Sequence, residues 1–365
     1  MGLNEGLLKA KKGNTGAPRF EIFRAPIIIS HSTQKTTLTP ANSPPPSKAL
    51  SLIEADMALV DELTKNRLDT SVPLVGQICQ YIISAGGKRL RPALLLLMSG
   101  ALGYTHTHRI QLAAVVEFIH TATLLHDDVV DESTLRRGRA TANASFGNPA
   151  SVLVGDFLYS RAFQMMVECK EMKVLALLAE ATNVIAEGEV LQLMNMHDPS
   201  IDEAGYLRVI RSKTAKLFEA SCRIPAVMLG ASVEIEAACS DYGQALGTAF
   251  QVIDDVLDYD GETAELGKNL GDDLREGKTT LPLIIAMQRA SPAQKELIEN
   301  TIKHGRVDQL SDILTIVHET GAMQATREAA MAEARRALKA LNNIDDSAYK
   351  RGLAELAEGL LNRKT

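Results

Sequence analysis

Two stretches of this chain set clustered carboxylates inside helical patterns that are otherwise apolar, and that limits what the chain can fold into. The first is Leu124-Leu125-His126-Asp127-Asp128-Val129-Val130-Asp131-Glu132, followed closely by Arg136-Arg137-Gly138. At about 3.6 residues per turn, Asp127 and Asp131 fall one above the other, with Asp128 beside them. Like charges at that spacing weaken a helix unless a positive charge lies between them. Carboxylate oxygens are hard ligands that suit Mg²⁺, which prefers a few carboxylates, waters and phosphate oxygens. Arginine forks such as Arg136 and Arg137 match phosphate geometry. Alone, the stretch reads first as a solvated acidic helix end. The chain repeats it, however, in Gln251-Val252-Ile253-Asp254-Asp255-Val256-Leu257-Asp258, with Lys268 and Lys278 trailing. Two copies flanked by residues that should be buried are not explained as surface charge; a metal-bridged phosphate site explains both.

The 365 residues could form one large domain or two ordinary ones. A net charge of −6, no tryptophan and no basic-aromatic patch argue against a nucleic-acid partner. The four cysteines, Cys79, Cys169, Cys222 and Cys239, lack CxxC spacing and read as small buried hydrophobes in a reducing compartment. The apolar run from Pro92 to Met98 is too short to span a bilayer, and no other run is long enough. Residues 1–48 differ from the rest, with Lys9, Lys11, Lys12, Arg19, Arg24 and Lys35, few acids, and a Ser/Pro-rich end at residues 42–47. That composition should not fold. It is a disordered leader, a mis-assigned start, or a mitochondrial transit peptide, although Pro18 and Pro26 interrupt any long amphipathic helix.

From residue 49 to the end, nearly every segment carries helical periodicity and few strand signals, which predicts one all-α domain of long, mostly buried helices. Gly86-Gly87-Lys88-Arg89-Leu90-Arg91-Pro92 breaks the pattern and reads equally as an anion cradle or an ordinary basic loop. His120 precedes Asp127 by about two turns, and on an apolar helix it reads first as a core residue. Lys213 and Thr214 sit on an apolar helix, where a buried lysine needs an anionic partner such as phosphate. Residues 298–317 and 326–341 read as peripheral helices.

These motifs, in this order, resemble the trans-prenyl diphosphate synthases: the Gly86–Pro92 loop, Leu125 to Ser133 with Arg136-Arg137-Gly138, and Phe250 to Asp258. The resemblance runs from about Leu50 to the C-terminus. Within that family, Ala162 to Met166 and Ala186 to Met194 are most similar to the bacterial octaprenyl diphosphate synthases, whose product becomes a quinone side chain. It implies antiparallel helices around a deep central cavity, a homodimer, a cytoplasmic setting and transient membrane contact on product release. Its substrates would be isopentenyl diphosphate and an allylic diphosphate, farnesyl by analogy. Carried over residue by residue, it implies Asp127, Asp131 and Asp254 as main Mg²⁺ ligands, supported by Asp128, Asp255 and Asp258. Arg136, Lys213, Thr214, Gln251 and Lys268 would hold the allylic diphosphate. Lys88, Arg91, His120 and Arg137 would hold isopentenyl diphosphate, which makes His120 a ligand.

Helical side chains lean toward the N-terminus, so Thr123, Ala122 and Ile119 should lie beneath the allylic site. Short-chain members of the family block that path with aromatic residues. Here Ala122 and Thr123 are small, which implies an open tunnel and a long product, with Met166 and Leu178 as candidates for its floor by the same resemblance; both also read as core, Leu178 the more so. Nona- or decaprenyl products are the neighbouring alternatives. A class I terpene cyclase would replace the second aspartate motif with an Asn/Ser/Glu-type triad and needs no second-substrate site. A non-catalytic regulatory subunit would tend to lose one motif. Both motifs are intact here.

Overall fold

Residues 48–260, 271–305 and 308–361 are described by the computed structural model. The expected leader and Lys268 lie outside them. Two short helices, α1 (Lys48–Ser51) and α2 (Glu54–Arg67), lead into α3 (Pro73–Ser84), where Pro73 sits at the position that has no use for an N–H. The leucine run becomes α4 (Leu90–Ala101), whose residues from Pro92 to Ser99 are all buried. It is a central rod among helices, which is why it is apolar all round. Next come α5 (His108–Val130), the short α6 (Ala142–Phe146), α7 (Asn148–Glu168) and α8 (Met172–Asn195). Among the described residues the only strands are β1 (Leu135–Arg136) and β2 (Arg139–Ala140).

The second half begins with α9 (Glu203–Ile210), which runs through a π-helical turn, Arg211–Ala215, into α10 (Lys216–Leu229). Gly230, left-handed at φ 63°, ends α10 and leaves a tight link to α11 (Val233–Leu257). A four-residue α12 (Asp272–Arg275) precedes α13 (Leu281–Arg289), α14 (Pro292–His304), α15 (Leu310–Glu319), α16 (Ala322–Ala340) and α17 (Ala348–Leu361). Ser291 and Gln294 form a reciprocal capping box at the start of α14.

One large apolar core joins α4, α5, α7, α8, α10 and part of α11; a smaller one joins α13 to α15 with the start of α16. Short connections make sequential neighbours antiparallel. α16 differs from its expected peripheral place. It lies along α11 and buries Ala330, Ala334 and Ala337, whose small side chains let the two backbones approach closely. Its charged opposite face made it read as a surface helix. Among the described residues no helix is long and apolar enough to cross a membrane. The C-terminal ends of α5 and α11, the π-helical turn, the α3–α4 loop and the α12–α13 loop all open onto one cavity of about 810 Å³.

Candidate active site

Both aspartate clusters fall at the C-terminal ends of their helices, where the backbone dipole is already negative and further anions are unfavourable. Asp127 and Asp131 line the cavity. Burial raises the Asp127 carboxyl above its ordinary range; Lys213 pulls it back and Asp131 adds to the rise. Asp128 behaves differently. It is fully buried, is not among the lining residues, and its Oδ1 accepts from Arg136 Nε at 2.9 Å and Nη2 at 2.8 Å. Asp128, expected in support of a metal, anchors the β1–β2 hairpin.

That hairpin is built for a two-residue turn. Leu135 faces Ala140, Arg136 faces Arg139, and the turn residues Arg137 and Gly138 have φ of 52° and 71°. Positive φ at both is the type I′ form that suits strand twist. Asn143 Nδ2 donates to the carbonyls of Asp128 (3.0 Å) and Ser133 (3.1 Å), tying the hairpin to the end of α5. The Arg136 guanidinium, expected on a diphosphate, is engaged by Asp128. Burial alone would lower its pKa, but the hydrogen bond and charge of Asp128 more than offset that.

On the facing side Asp254 lines the cavity. Asp255 accepts from Tyr206 Oη at 2.6 Å and from Gln251 Nε2 at 2.8 Å. Burial, then the charge of Asp273, push it up to about 8 against those two hydrogen bonds. Asp258 accepts from the Asp273 backbone N–H at 3.2 Å. Gln251 Oε1 accepts from Thr214 Oγ1 at 3.0 Å, so the π-helical turn and the second cluster are joined. Two glycines make room for that turn. A Cβ on Gly188 would sit 2.8 Å from the Lys213 nitrogen, and one on Gly247 would sit 2.7 Å from the Ala215 Cα. A π-helical turn often marks a functional position. Here it presents Lys213, whose Nζ lies 2.6 Å from Glu189 Oε2. Burial and the charge of Asp127 push Glu189 up to about 7, with Lys213 opposing.

Another part of the cavity is basic. Arg89 caps α4 with a left-handed φ of 48°, ion-pairs with Asp61 and lies 3.8 Å from Glu117. Lys88 sits 5.4 Å over the Phe250 ring and Arg91 4.6 Å over the Phe218 ring, so both are held by aromatic faces. Burial lowers Arg91 to about 10, with Glu117 and Asp127 opposing. Arg137 lines the same region beside Gly87, where a Cβ would meet its Nη1 at 2.7 Å. His120 lines the cavity with a pKa held well below the ordinary value, from burial and then Arg91, Arg136 and Arg137. Arg91 Nε and Glu117 Oε2 are buried atoms without a hydrogen-bond partner among the described residues.

Thr123 lines the cavity with Phe118, Leu124 and Leu158. Ala122, Ile119, Met166 and Leu178 are enclosed in the main core and are not among the lining residues. Glu117, Tyr206, Asp273 and Glu276 line the cavity without having been expected there. Glu117 carried a readable signal: it lies one turn before His120 on the same helix. The other three arrive from α9 and from α12 with its C-cap, and nothing in their local sequence marks them.

The polyprenyl synthetase family model matches residues 72–319. The octaprenyl diphosphate synthase of Escherichia coli K12 is 51% identical over 307 residues, covering 84% of this chain and 95% of that protein. An all-trans-nonaprenyl-diphosphate synthase of Rhodobacter capsulatus, specific for geranyl diphosphate, is 44% identical over 315 residues, 86% of this chain and 97% of its own. Among solved structures, the polyprenyl synthase of Caulobacter crescentus CB15, in complex with calcium and isoprenyl diphosphate, superposes with a TM-score of 0.84. It is 45% identical and covers 87% of this chain and 98% of its own. The matched region contains both aspartate clusters and the basic loop between α3 and α4, and the chain belongs to the polyprenyl synthetase family.

Proposed function

We propose that this chain, a long-chain trans-polyprenyl diphosphate synthase, adds isopentenyl diphosphate repeatedly to an allylic primer, farnesyl diphosphate, and stops at octaprenyl diphosphate for a respiratory quinone. The observation that carries the reading is one cavity lined by residues of both acid clusters and by an aromatic-backed basic set. A cyclase has no use for the second set. The intact pair of acid clusters argues against a non-catalytic subunit.

By its chemistry the donor set suits a divalent metal, although among the described residues no three such side chains converge to hold one unaided. Asp127, Asp131 and Asp254 offer hard oxygens at two helix C-termini, and the Asp127 carboxyl, raised by burial and then by Asp131, is one that a cation would help to ionise. We assign these three as Mg²⁺ ligands, a reading supported by the calcium-bound relative. When bound, the metal supplies Lewis-acid stabilisation of the departing diphosphate. Asp255 and Asp258 act behind Asp254, the first through Gln251 and Tyr206.

Lys213, Thr214 and Gln251 bind the allylic diphosphate, with Lys268, which lies outside the described residues, as a further partner. As the allylic C–O bond breaks, its electron pair goes to the diphosphate, whose growing charge the Lys213 ammonium, now paired with Glu189, stabilises. Lys88, Arg91 and Arg137 hold isopentenyl diphosphate so that its double bond attacks the allylic carbon. His120, which lines the same region, adds a hydrogen bond there. The proton lost from the adduct goes to the released diphosphate.

Two further readings belong with this one. Large apolar side chains on α7 and α8, including Leu153, Val167, Met172, Val190 and Met194, are each more than half exposed, which supports a homodimer through that face. Residues 49–365 form the catalytic domain, which acts in the cytoplasm and touches the membrane only on product release. The test is incubation with isopentenyl diphosphate, farnesyl diphosphate and Mg²⁺, with product length read by mass spectrometry. A ladder ending at the octaprenyl product and abolished by EDTA is expected. A longer end point would move the chain toward its nonaprenyl relative, and no elongation would overturn the reading.

A further inference from the structure

Among the cations around the acid clusters, Lys278 is placed unlike the others. Its Nζ lies 3.2 Å from Asp131 Oδ2 and also ion-pairs with Glu276 Oε2. The ammonium therefore joins the end of α5 to the α12–α13 loop across the cavity.

The loop that carries it is pinned. The Lys278 backbone N–H donates to Asp273 O at 2.8 Å, and Gly277 O accepts from the His197 N–H at 2.8 Å. Thr279 Oγ1 donates to Asp198 O at 2.9 Å. Gly277 has φ 74°, and a Cβ there would overlap the His197 ring, itself held by a 3.0 Å contact between Nδ1 and Ile302 O. The end of α8 thus fixes where the lysine backbone sits, and the side chain has little choice of partner. Charges from Asp273, Asp131 and Glu276 keep it protonated despite its burial.

An ammonium and a divalent cation both seek carboxylate oxygen, and like charges at close range in a partly buried site oppose each other strongly. We propose that Lys278 is a built-in counter-cation of the acidic cluster, which neutralises Asp131 when no metal is present and competes with the metal for it. The inference rests on Asp131 being a metal ligand, as assigned above. Glu276 gives the ammonium a second partner to keep when Asp131 turns to the metal, so the exchange leaves no buried charge alone. The contact makes the metal-free protein stable at the cost of metal affinity.

The experiment measures Mn²⁺ alone, without diphosphate, binding to the full chain by electron paramagnetic resonance of the free ion. Wild type, Lys278→Met, Lys278→Arg and Asp131→Asn are compared, with circular dichroism confirming their folds. Lys278→Met, which keeps the apolar stem and loses the charge, should bind Mn²⁺ roughly tenfold more tightly, and Lys278→Arg should stay near wild type. In EDTA, Lys278→Met should melt below wild type, and added Mn²⁺ should close the gap. Unchanged Mn²⁺ affinity in Lys278→Met would overturn the inference. Weaker binding would overturn it too, making Lys278 a residue that orients Asp131 for the metal. Failure of wild type to bind Mn²⁺, or binding indifferent to Asp131→Asn, would instead overturn the metal assignment on which the inference stands.

Discussion

Adjacent aspartates in the first cluster have opposite jobs. Asp127 faces the cavity and is held there at an electrostatic cost, whereas Asp128 is buried and paired with Arg136. Asp127→Ala should therefore leave the melting temperature in EDTA unchanged or slightly raised, and lower kcat by about a hundredfold or more. Asp128→Ala should do the reverse in emphasis. It strands a partly exposed arginine and loosens the hairpin, costing about 2 kcal/mol of stability, below the range for fully buried pairs. Its activity loss should show mainly as a higher KM for isopentenyl diphosphate, because Arg137 rides on that hairpin. Denaturant melts and steady-state kinetics on the two variants check this; equal stability loss in both would refute the division.

At the scale of elements, α5 carries both the acid cluster and the side chains beneath it. Thr123 reaches the cavity while Ala122 packs into the core. Thr123→Phe should thus shorten the product by several isoprene units with little effect on folding. Ala122→Phe should overpack the core and cost about 1–3 kcal/mol. Product length by mass spectrometry, beside thermal melts, separates the two; an unchanged distribution in Thr123→Phe would move the chain path elsewhere. What was legible in the sequence follows from range. Helix period and aspartate spacing are local, so α5, α11 and their acids could be read directly. The direction Asp128 takes depends on a hairpin eight residues on, and the approach of Tyr206, Asp273 and Glu276 depends on helices far away in sequence. The alanine face of α16 was hidden for another reason, since small buried residues carry a weak hydrophobic signal.

For the whole molecule, the apolar faces of α7 and α8 predict association. Wild type should sediment at twice its 39.5 kDa, and Leu153→Lys combined with Val190→Lys should sediment as a monomer. Analytical ultracentrifugation checks this, and a monomeric wild type would remove the dimer reading.

The division of the cavity into an acidic and a basic part sets the rhythm of synthesis. Each new bond joins the allylic carbon to the incoming unit, and the diphosphate that survives is the incoming unit's own. On the proposed assignment, the product of every turn is therefore born with its head among Lys88, Arg91 and Arg137, yet it must present that head to Asp127, Asp131 and Asp254 to react again. Between turns the lipid has to migrate from one berth to the other while its tail slides farther along the apolar wall. The enzyme is a shuttle with a fixed stroke, and the polymer lengthens at the head, one stroke at a time, until the tail has nowhere left to go.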